Sequence, residues 1–575
     1  MRNYNDWLTG EHFDDDTRRE LAGIADDGKE IRERFYKSLE FGTGGLRGII
    51  GAGTNRMNIY TVRRATQGLS NYILKSGSEN AAKGVVIAFD SRRYSAEFAR
   101  QSALVLAGNG IKAYIFPSLR PTPELSFAIR SLGCVSGIVI TASHNPREYN
   151  GYKCYWEDGA QIPFPRDAEV TAEVESVKDY SMIRLADEDE AAAAGLYNVV
   201  GEDVDDAFLA EVAAASLNPD AIREAAPDFR IVYTPLYGAG SVPVQRALRG
   251  AGFTNVYAVP EQEFPDPDFP TVSYPNPEDP KAFRLALALA DEKNADLVLA
   301  TDPDCDRVGV VTRGEGGKYF LLSGNMTGAL LTEYILSQKA ARGGIDGDSV
   351  VISTIVSTKL TRAIAEFYGA QYMETLTGFK YIGEKIKEFE RGGGKLKFVF
   401  GFEESYGYLP GTYARDKDAV AACLLVAEMA AYYKLRGMTL FGALTALYEK
   451  YGFYREAIES VTLPGIDGID RMRAIMERLR ANPPREAAGI AVVRVSDYKT
   501  SSAADLLTGV SAPTGLPVSD VLLYDLADGG WFCVRPSGTE PKIKIYCAVK
   551  GASAEDAETK LSALGKAASS IVGGE

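Results

Sequence analysis

Three aspartates crowd the segment Asp302-Pro303-Asp304-Cys305-Asp306-Arg307. Carboxylates at i, i+2 and i+4 of one loop repel one another unless a cation sits among them. Hard oxygen donors at this spacing suit Mg²⁺, which takes a few carboxylates and completes its shell with phosphate oxygens. A calcium-binding EF-hand loop needs Gly at its sixth position, where Arg307 stands, and Glu at its twelfth, which 308–313 does not supply. An Asp-rich turn is the alternative reading. Arg307, beside the carboxylates, has the fork to hold a phosphate edge.

A second segment, Thr141-Ala142-Ser143-His144-Asn145-Pro146, follows the apolar run 136–140 directly. A hydroxyl just past the C-terminal end of a parallel strand sits where α/β folds bind ligands, and Pro146 stops the strand. The chain has only two histidines, His12 and His144, and His144 adjoins Ser143. The same residues also suit a turn in which Ser and Asn bond to nearby backbone. A Ser-His-Asp hydrolase is disfavoured: adjacent Ser and His rarely meet as nucleophile and base, and Gly-x-Ser-x-Gly is absent at this serine.

Two further segments lie after apolar runs. Gly401-Phe402-Glu403-Glu404-Ser405-Tyr406-Gly407 offers a carboxylate and a hydroxyl that could hold vicinal sugar hydroxyls, or form a turn. Arg535-Pro536-Ser537-Gly538-Thr539-Glu540-Pro541-Lys542 combines cations, hydroxyls and a glycine between two strand-like runs. That set could form a nest of donors for a phosphate, or a plain hairpin turn. Gly392-Gly393-Gly394-Lys395 lacks the spacing and the Ser or Thr of a Walker loop. Gly42–Gly48 departs from Gly-x-Gly-x-x-Gly, although Arg47 within it is a candidate phosphate ligand.

These segments need a scaffold, and the pattern of apolar runs supplies one. Runs at 84–90, 111–117, 136–141, 229–234, 296–301, 349–353 and 397–402 alternate with helical patterns such as 95–109. Apolar on both faces, they read as buried parallel strands of α/β units. After Tyr451 come shorter strand-like runs, 456–463, 490–495, 521–526, 531–534 and 542–549, and a closing helix over 554–571, the pattern of a mostly antiparallel α+β domain. The fold class expected is α/β, with three related α/β domains of mixed, mostly parallel sheets and a C-terminal α+β domain. The boundaries expected are 1–203, including a helical N-terminal extension, 204–320, 321–452 and 453–575. The acidic stretch 187–190 reads as a solvated face or loop.

Composition narrows the class of function. The 575 residues are 46% hydrophobic and 25% charged, as in folded globular proteins. A formal net charge of −15 argues against nucleic acid and anionic membrane as partners. The six cysteines are scattered without a Cys-x-x-Cys pair, which signals neither zinc nor disulfides. No signal-like start and no apolar run of spanning length appear. The expectation is a cytoplasmic protein, monomer or homodimer.

Taken in order, the four segments resemble the active-site loops of the α-D-phosphohexomutase superfamily, over most of the chain after residue 40. The resemblance implies four domains around one central cleft, each giving one loop. Thr141–Pro146 is similar to the phosphoserine loop, Asp302–Arg307 to the metal loop, Phe402–Gly407 to the sugar loop and Arg535–Lys542 to the phosphate loop. Gly45-Leu46-Arg47, Asn150-Gly151-Tyr152-Lys153, Thr377-Gly378-Phe379-Lys380 and Arg415-Asp416-Lys417-Asp418 resemble further family segments near the substrate. The Glu-Glu-Ser-aromatic-Gly pattern at 403–407 looks like the phosphoglucomutase branch, where other branches show Gly-Glu-x-Ser-Gly-His. Chain length and the Phe-Glu-Glu context also resemble members with phosphopentomutase activity.

The resemblance therefore implies interconversion of glucose 1-phosphate and glucose 6-phosphate through a phosphoserine and glucose 1,6-bisphosphate. One Mg²⁺ per site would be held by Ser143, Asp302, Asp304 and Asp306. Ser143, His144, Lys153 and Arg47 would be catalytic. Arg307, Thr377, Gly378, Lys380, Glu403, Ser405, Lys417, Arg535, Ser537, Gly538, Thr539 and Lys542 would bind substrate. Phosphomannomutase and phosphopentomutase are the alternatives inside the family. A metal-dependent phosphatase and an inactive phosphosugar-binding protein are the alternatives outside it.

Overall fold

The computed structural model describes residues 2–42, 44–463, 467–537 and 542–574. The chain separates into two compact units, Met1–Gly324 with Phe379–Leu440, and Asn325–Gly378 with Phe441–Glu575. Compactness thus cuts the block 321–452 in two.

The first unit carries two mixed sheets. Strands β1 (Gly45–Ile49), β2 (Val85–Phe89), β3 (Ala113–Ile115), β4 (Ser136–Ile140), β5 (Tyr149–Trp156) and β6 (Tyr197–Val199) are ordered β1-β5-β4-β2-β3-β6. The inner pairs β4–β2, β2–β3 and β3–β6 are parallel, and every residue of β2 and β4 is buried. β5 returns antiparallel to β4 and pairs antiparallel with β1. That hairpin return needs only a short loop, whereas a parallel return needs a crossover, so the serine segment can sit between β4 and β5. The second sheet follows the same plan. Strands β7 (Arg230–Thr234), β8 (Asn255–Ala258), β9 (Leu297–Thr301), β10 (Val308–Arg313) and β11 (Tyr319–Leu322) are ordered β11-β10-β9-β7-β8, with β7–β8 and β7–β9 parallel and β9–β10 antiparallel. The aspartate segment is the loop of the antiparallel β9–β10 pair.

Further along, β12 (Ser349–Thr354) and β13 (Gln371–Thr375) form a parallel pair in the second unit, while β14 (Lys397–Glu403) and β15 (Gly407–Leu409) form an antiparallel hairpin in the first. The second unit also holds a predominantly antiparallel sheet of β16 (Phe453–Thr462), β17 (Glu486–Ala487), β18 (Ile490–Asp497), β19 (Ser502–Asp505), β20 (Ser511–Pro513), β21 (Leu522–Leu526), β22 (Trp531–Pro536) and β23 (Lys542–Gly551). The helix Ala554–Gly573 packs Leu561, Leu564 and Ala568 into its core.

The N-terminal extension is helical, as its sequence suggests: Arg2–Thr9, Asp15–Ala22 and Gly28–Phe35, the last two capped by Asp14 and Asp27. Its charged faces are only half the account. Trp7, 3% exposed, stacks on Phe13 at 4.3 Å and meets Tyr60 and Tyr180 edge-on, so an aromatic core fastens the extension to the helix Ile59–Lys75. The acidic stretch is a helix start rather than a loop. Asp187 caps the helix Glu188–Ala193, whose acidic first turn complements the positive end of its dipole.

Candidate active site

Ser143 stands at the turn of the β4–β5 loop with φ 53°, a left-handed conformation that costs a non-glycine residue about 1–3 kcal/mol. Neighbouring groups hold it there. The Ser143 N–H donates to Thr141 Oγ1 at 2.7 Å, and that hydroxyl donates to Asp90 Oδ2 at 2.6 Å. Arg92 donates to four carbonyl oxygens of the same loop and its exit: Ser143, Asn145, Pro146 at 2.8 Å and Tyr149 at 3.1 Å. The Arg92 guanidinium pairs with buried Asp90 at 3.3 Å and lies over the Phe269 ring. Ser143 Oγ donates to Asp302 Oδ2 at 2.7 Å and is 3.1 Å from His144 Nδ1. Arg47, on β1, reaches Asn145 Oδ1 at 3.2 Å. Burial pushes the His144 pKa well down, and the positive charges of Arg307 and Arg47 push the same way.

In the β9–β10 loop, Cys305 takes φ 52° and its N–H donates to the Asp302 carbonyl at 2.9 Å, which turns three carboxylates inward. Ligand atoms of Asp302, Asp304 and Asp306 lie within 4.8 Å of one another. Asp302 Oδ1 accepts from the N–H groups of Asp306 and Arg307 at 3.2 and 3.1 Å. Asp304 Oδ2 accepts from Lys153 Nζ at 2.8 Å, and Asp306 Oδ2 lies 3.1 Å from Lys417 Nζ. The remaining oxygens, Asp304 Oδ1 and Asp306 Oδ1, are buried without a hydrogen-bond partner. Burial, then repulsion from Asp304 and Asp306, pushes the Asp302 carboxyl well above the carboxylate range. Burial works against the charge of Asp304 too, but Lys153 outweighs it and holds that carboxyl low. Burial likewise opposes the charge of Lys153, and Asp304 and Asp306 reverse the balance and raise its pKa. Buried oxygens left over from an otherwise satisfied network, on hard donors, fit a divalent cation, and the cluster is a candidate metal-ion site.

The β14–β15 turn brings Glu403 to the same place. Tyr406 takes φ 66°, and its carbonyl accepts from the Val308 N–H at 3.1 Å, which ties this turn to the aspartate loop. Glu403 is buried, and its charge helps keep the pKa values of Arg307 and Lys417 high against burial. Lys417 Nζ is also 2.9 Å from Asp416 Oδ1, and Asp416 Oδ2 accepts from the Tyr155 hydroxyl at 2.7 Å. Gly407 leaves the space the Lys417 stem fills. Ser405 is half-buried in the turn.

The structure therefore gathers Ser143, His144, Lys153, Arg47, Asp302, Asp304, Asp306, Arg307, Glu403 and Lys417 into one network. One arm of the Arg307 fork is engaged, Nη1 donating to Glu278 at 2.8 Å, while the buried Nε has no hydrogen-bond partner. Lys380 sits on the helix Phe379–Arg391 with Asp167 3.8 Å away. In the second unit, Thr377 and Gly378 follow β13, and Gly378 has φ 123°. Arg535 lies at the end of β22 and Ser537 just beyond it, Lys542 opens β23, and the Ser537 N–H donates to the Lys542 carbonyl at 2.7 Å. Gly538 and Thr539 lie outside the described residues.

Sequence reasoning missed Asp90, Arg92 and Glu278. A signal existed for the first two. Asp90 ends the apolar run 84–90, so Asp90-x-Arg92 has the same position relative to β2 as the serine segment has to β4, at the C-terminal edge of a parallel sheet. Glu278 carries no such mark.

Comparison with known proteins agrees with this arrangement. Family models of the phosphoglucomutase/phosphomannomutase family match four stretches in order: alpha/beta/alpha domain I at residues 38–181, domain II at 206–316, domain III at 323–451 and the C-terminal domain at 473–561. A phosphoglucomutase of Staphylococcus aureus (strain USA300) is 36% identical over 536 residues, covering 93% of this chain and 94% of that protein. A solved structure of a candidate phosphomannomutase from Thermus thermophilus has TM-score 0.67 at 25% identity, over 93% of this chain and 99% of that one. The open form of the Paramecium phosphoprotein pp63/parafusin, a phosphoglucomutase, shares the fold with TM-score 0.67 at 16% identity, over 94% and 95% of the two chains.

Proposed function

The chain belongs to the phosphoglucomutase/phosphomannomutase family, and from that premise we propose that it interconverts glucose 1-phosphate and glucose 6-phosphate. The observation that carries the reading is the Ser143 hydroxyl, strained into position and bonded at 2.7 Å to a buried triad of aspartates. A phosphate carrier beside a cation site is what transfer of a phosphoryl group back and forth requires. A hydrolase would instead need a positioned water.

In this reading the working enzyme carries phosphate on Ser143. The sugar's free hydroxyl attacks phosphorus, the bond to Ser143 Oγ breaks, and a glucose 1,6-bisphosphate forms. The proton of that hydroxyl leaves the sugar, and Ser143 Oγ gains one. His144, whose Nδ1 is 3.1 Å from Ser143 Oγ, and Lys153 are the candidates to take the sugar proton and pass it to Ser143 Oγ. The bisphosphate then turns, its other phosphoryl group moves to Ser143, and the vacated sugar oxygen takes a proton. A Mg²⁺ held by Asp302, Asp304, Asp306 and a phosphoserine oxygen would neutralise charge on the transferring group. Lys153, Arg47 and Arg307 add positive charge around it. Glu403 and Ser405 would hold sugar hydroxyls, with Lys417 and Lys380 alongside. Thr377, Gly378, Arg535, Ser537, Gly538, Thr539 and Lys542 would hold the substrate's other phosphate and its surroundings. Each of the segments 1–203, 204–320, 321–452 and 453–575 contributes one loop in this scheme. Six buried cysteines support a reducing, cytoplasmic location, and among the described residues no helix is long and apolar enough to cross a membrane.

The test is a coupled assay with glucose 1-phosphate and a trace of glucose 1,6-bisphosphate, run beside mannose, glucosamine and ribose 1-phosphates. Glucose should be preferred, without release of inorganic phosphate. Ser143→Ala should lose turnover and also lose a phosphate-sized excess in intact mass. Full activity in that variant, or stoichiometric phosphate release by the wild type, overturns the proposal.

A further inference from the structure

The helix Thr122–Ser131 belongs to the first sheet's surroundings and carries none of the four loops, yet its first residue touches the aspartate triad. Thr122 is fully buried. Its N–H donates to the Asp304 carbonyl at 2.9 Å, and its hydroxyl donates to Asp304 Oδ2 at 3.1 Å. The N–H groups of a helix's first turn have no partner within the helix, so this one is free to bond the loop.

We propose that Thr122 is a positioning residue for the metal site: it holds one oxygen of Asp304 so that the other is left facing the divalent cation. The inference rests on the metal reading above. The two oxygens of Asp304 are treated unequally. Oδ2 takes both Thr122 and Lys153, while Oδ1, on a side chain 2% exposed, has no hydrogen-bond partner. Lys153 does not fix the carboxylate by itself, because its ammonium is shared with Asp306 at 3.6 Å and rides on a flexible stem. Thr122 is different. Its backbone is pinned to the Asp304 backbone, and a β-branched side chain has few χ1 choices, so its hydroxyl arrives from a fixed direction. Lys153 balances the charge, and Thr122 sets the carboxylate plane. One residue earlier in the loop, Gly238 lies so close that a Cβ there would be 2.5 Å from Pro303 Cα, and the Ala239 N–H donates to the Pro303 carbonyl at 2.8 Å. The loop is thus held at two consecutive residues.

The experiment measures Mn²⁺ binding by electron paramagnetic resonance on dephosphorylated wild type, Thr122→Val and Thr122→Ser. Valine keeps the shape and removes the hydroxyl, whereas serine keeps the hydroxyl. Loss of a group that orients a metal ligand weakens binding by about 10–100-fold, so Thr122→Val should raise the dissociation constant about tenfold or more and Thr122→Ser should stay near wild type. Wild-type affinity in Thr122→Val overturns the role of Thr122 alone, as does an equal loss in both variants. Absence of Mn²⁺ binding in the wild type overturns the metal reading, and this inference with it. If Thr122→Val does not fold, Thr122→Ala is read by the same criteria.

Discussion

Replacing Arg92 by Met tests whether one buried guanidinium organises the Ser143 loop. The substitution keeps a long apolar stem and removes the donors to Ser143, Asn145, Pro146 and Tyr149 carbonyls, along with the partner of Asp90. Both Arg92 and Asp90 side chains are fully buried. Breaking such a pair from one side leaves an uncompensated charge and costs about 3–5 kcal/mol. The Asp90 carboxylate keeps the Thr141 and Ser95 hydroxyls, at 2.6 and 2.8 Å, which limits the loss towards the lower end. For a domain the size of the matched stretch 38–181 this corresponds to a fall in melting temperature on the order of 10 °C. Activity should fall further than stability explains. Freed carbonyls let Ser143 leave its left-handed conformation, and misplacing a reacting group by about 1 Å costs roughly 100-fold in rate. Calorimetry and kcat at a temperature where the variant is fully folded separate the two effects. Asp90→Asn combined with Arg92→Met should lose less than the sum of the single losses, because the charges no longer face each other alone. A melting temperature within about 2 °C of wild type, together with an unchanged kcat, would rule out this role for Arg92.

Burial raises the Asp418 carboxyl to about 6 from an ordinary 3.8, although the Tyr413 hydroxyl and the N–H groups of Ala421 and Val420 pull it down. Between pH about 4 and 6 the folded chain holds a proton the unfolded chain has lost, so this group's stabilisation is full at the low end and disappears as pH rises through 6. Asp418→Asn, which keeps the helix cap, should flatten the stability profile in that window by up to about 3 kcal/mol in urea titrations; identical profiles count against the assignment. Gly238→Ala should weaken Mn²⁺ binding about tenfold, of the size seen when support around a metal ligand is lost, because a Cβ 2.5 Å from Pro303 Cα must push the aspartate loop; unchanged affinity means that the loop yields without moving its carboxylates. Burial pushes the Cys134, Cys154 and Cys547 thiols to about 12, and all six cysteines are buried. A disulfide reagent should therefore label none in the native protein and six after denaturation, and rapid native labelling would contradict the burial.

The chemistry available is legible in the residues alone: a serine, three carboxylates, a carboxylate-hydroxyl turn and a cationic loop, each after an apolar run. Those features are local. A strand edge, a turn and a crowded charge cluster are set by residues within a few positions of one another. The alternation of apolar runs with helical patterns likewise gave the α/β class and the antiparallel tail, because each period reflects local backbone geometry. Sequence did not reveal that the serine and aspartate loops both lie in antiparallel returns, since β5, interrupted by Asn150, Gly151 and Lys153, and β10 are not among the apolar runs that read as strands.

Tertiary structure alone decided which groups meet. Ser143 and Asp302 are 159 positions apart, and Thr122 and Asp304 are 182 apart. Their contact depends on how two sheets pack, which no local pattern encodes. The same packing chose which carboxylate oxygens are tied and which are left over. It also turned Arg92, which in sequence resembles any arginine after a strand, into the support of the Ser143 loop. A buried polar atom must find its partner wherever the fold places one, so these supporting residues become visible only in three dimensions.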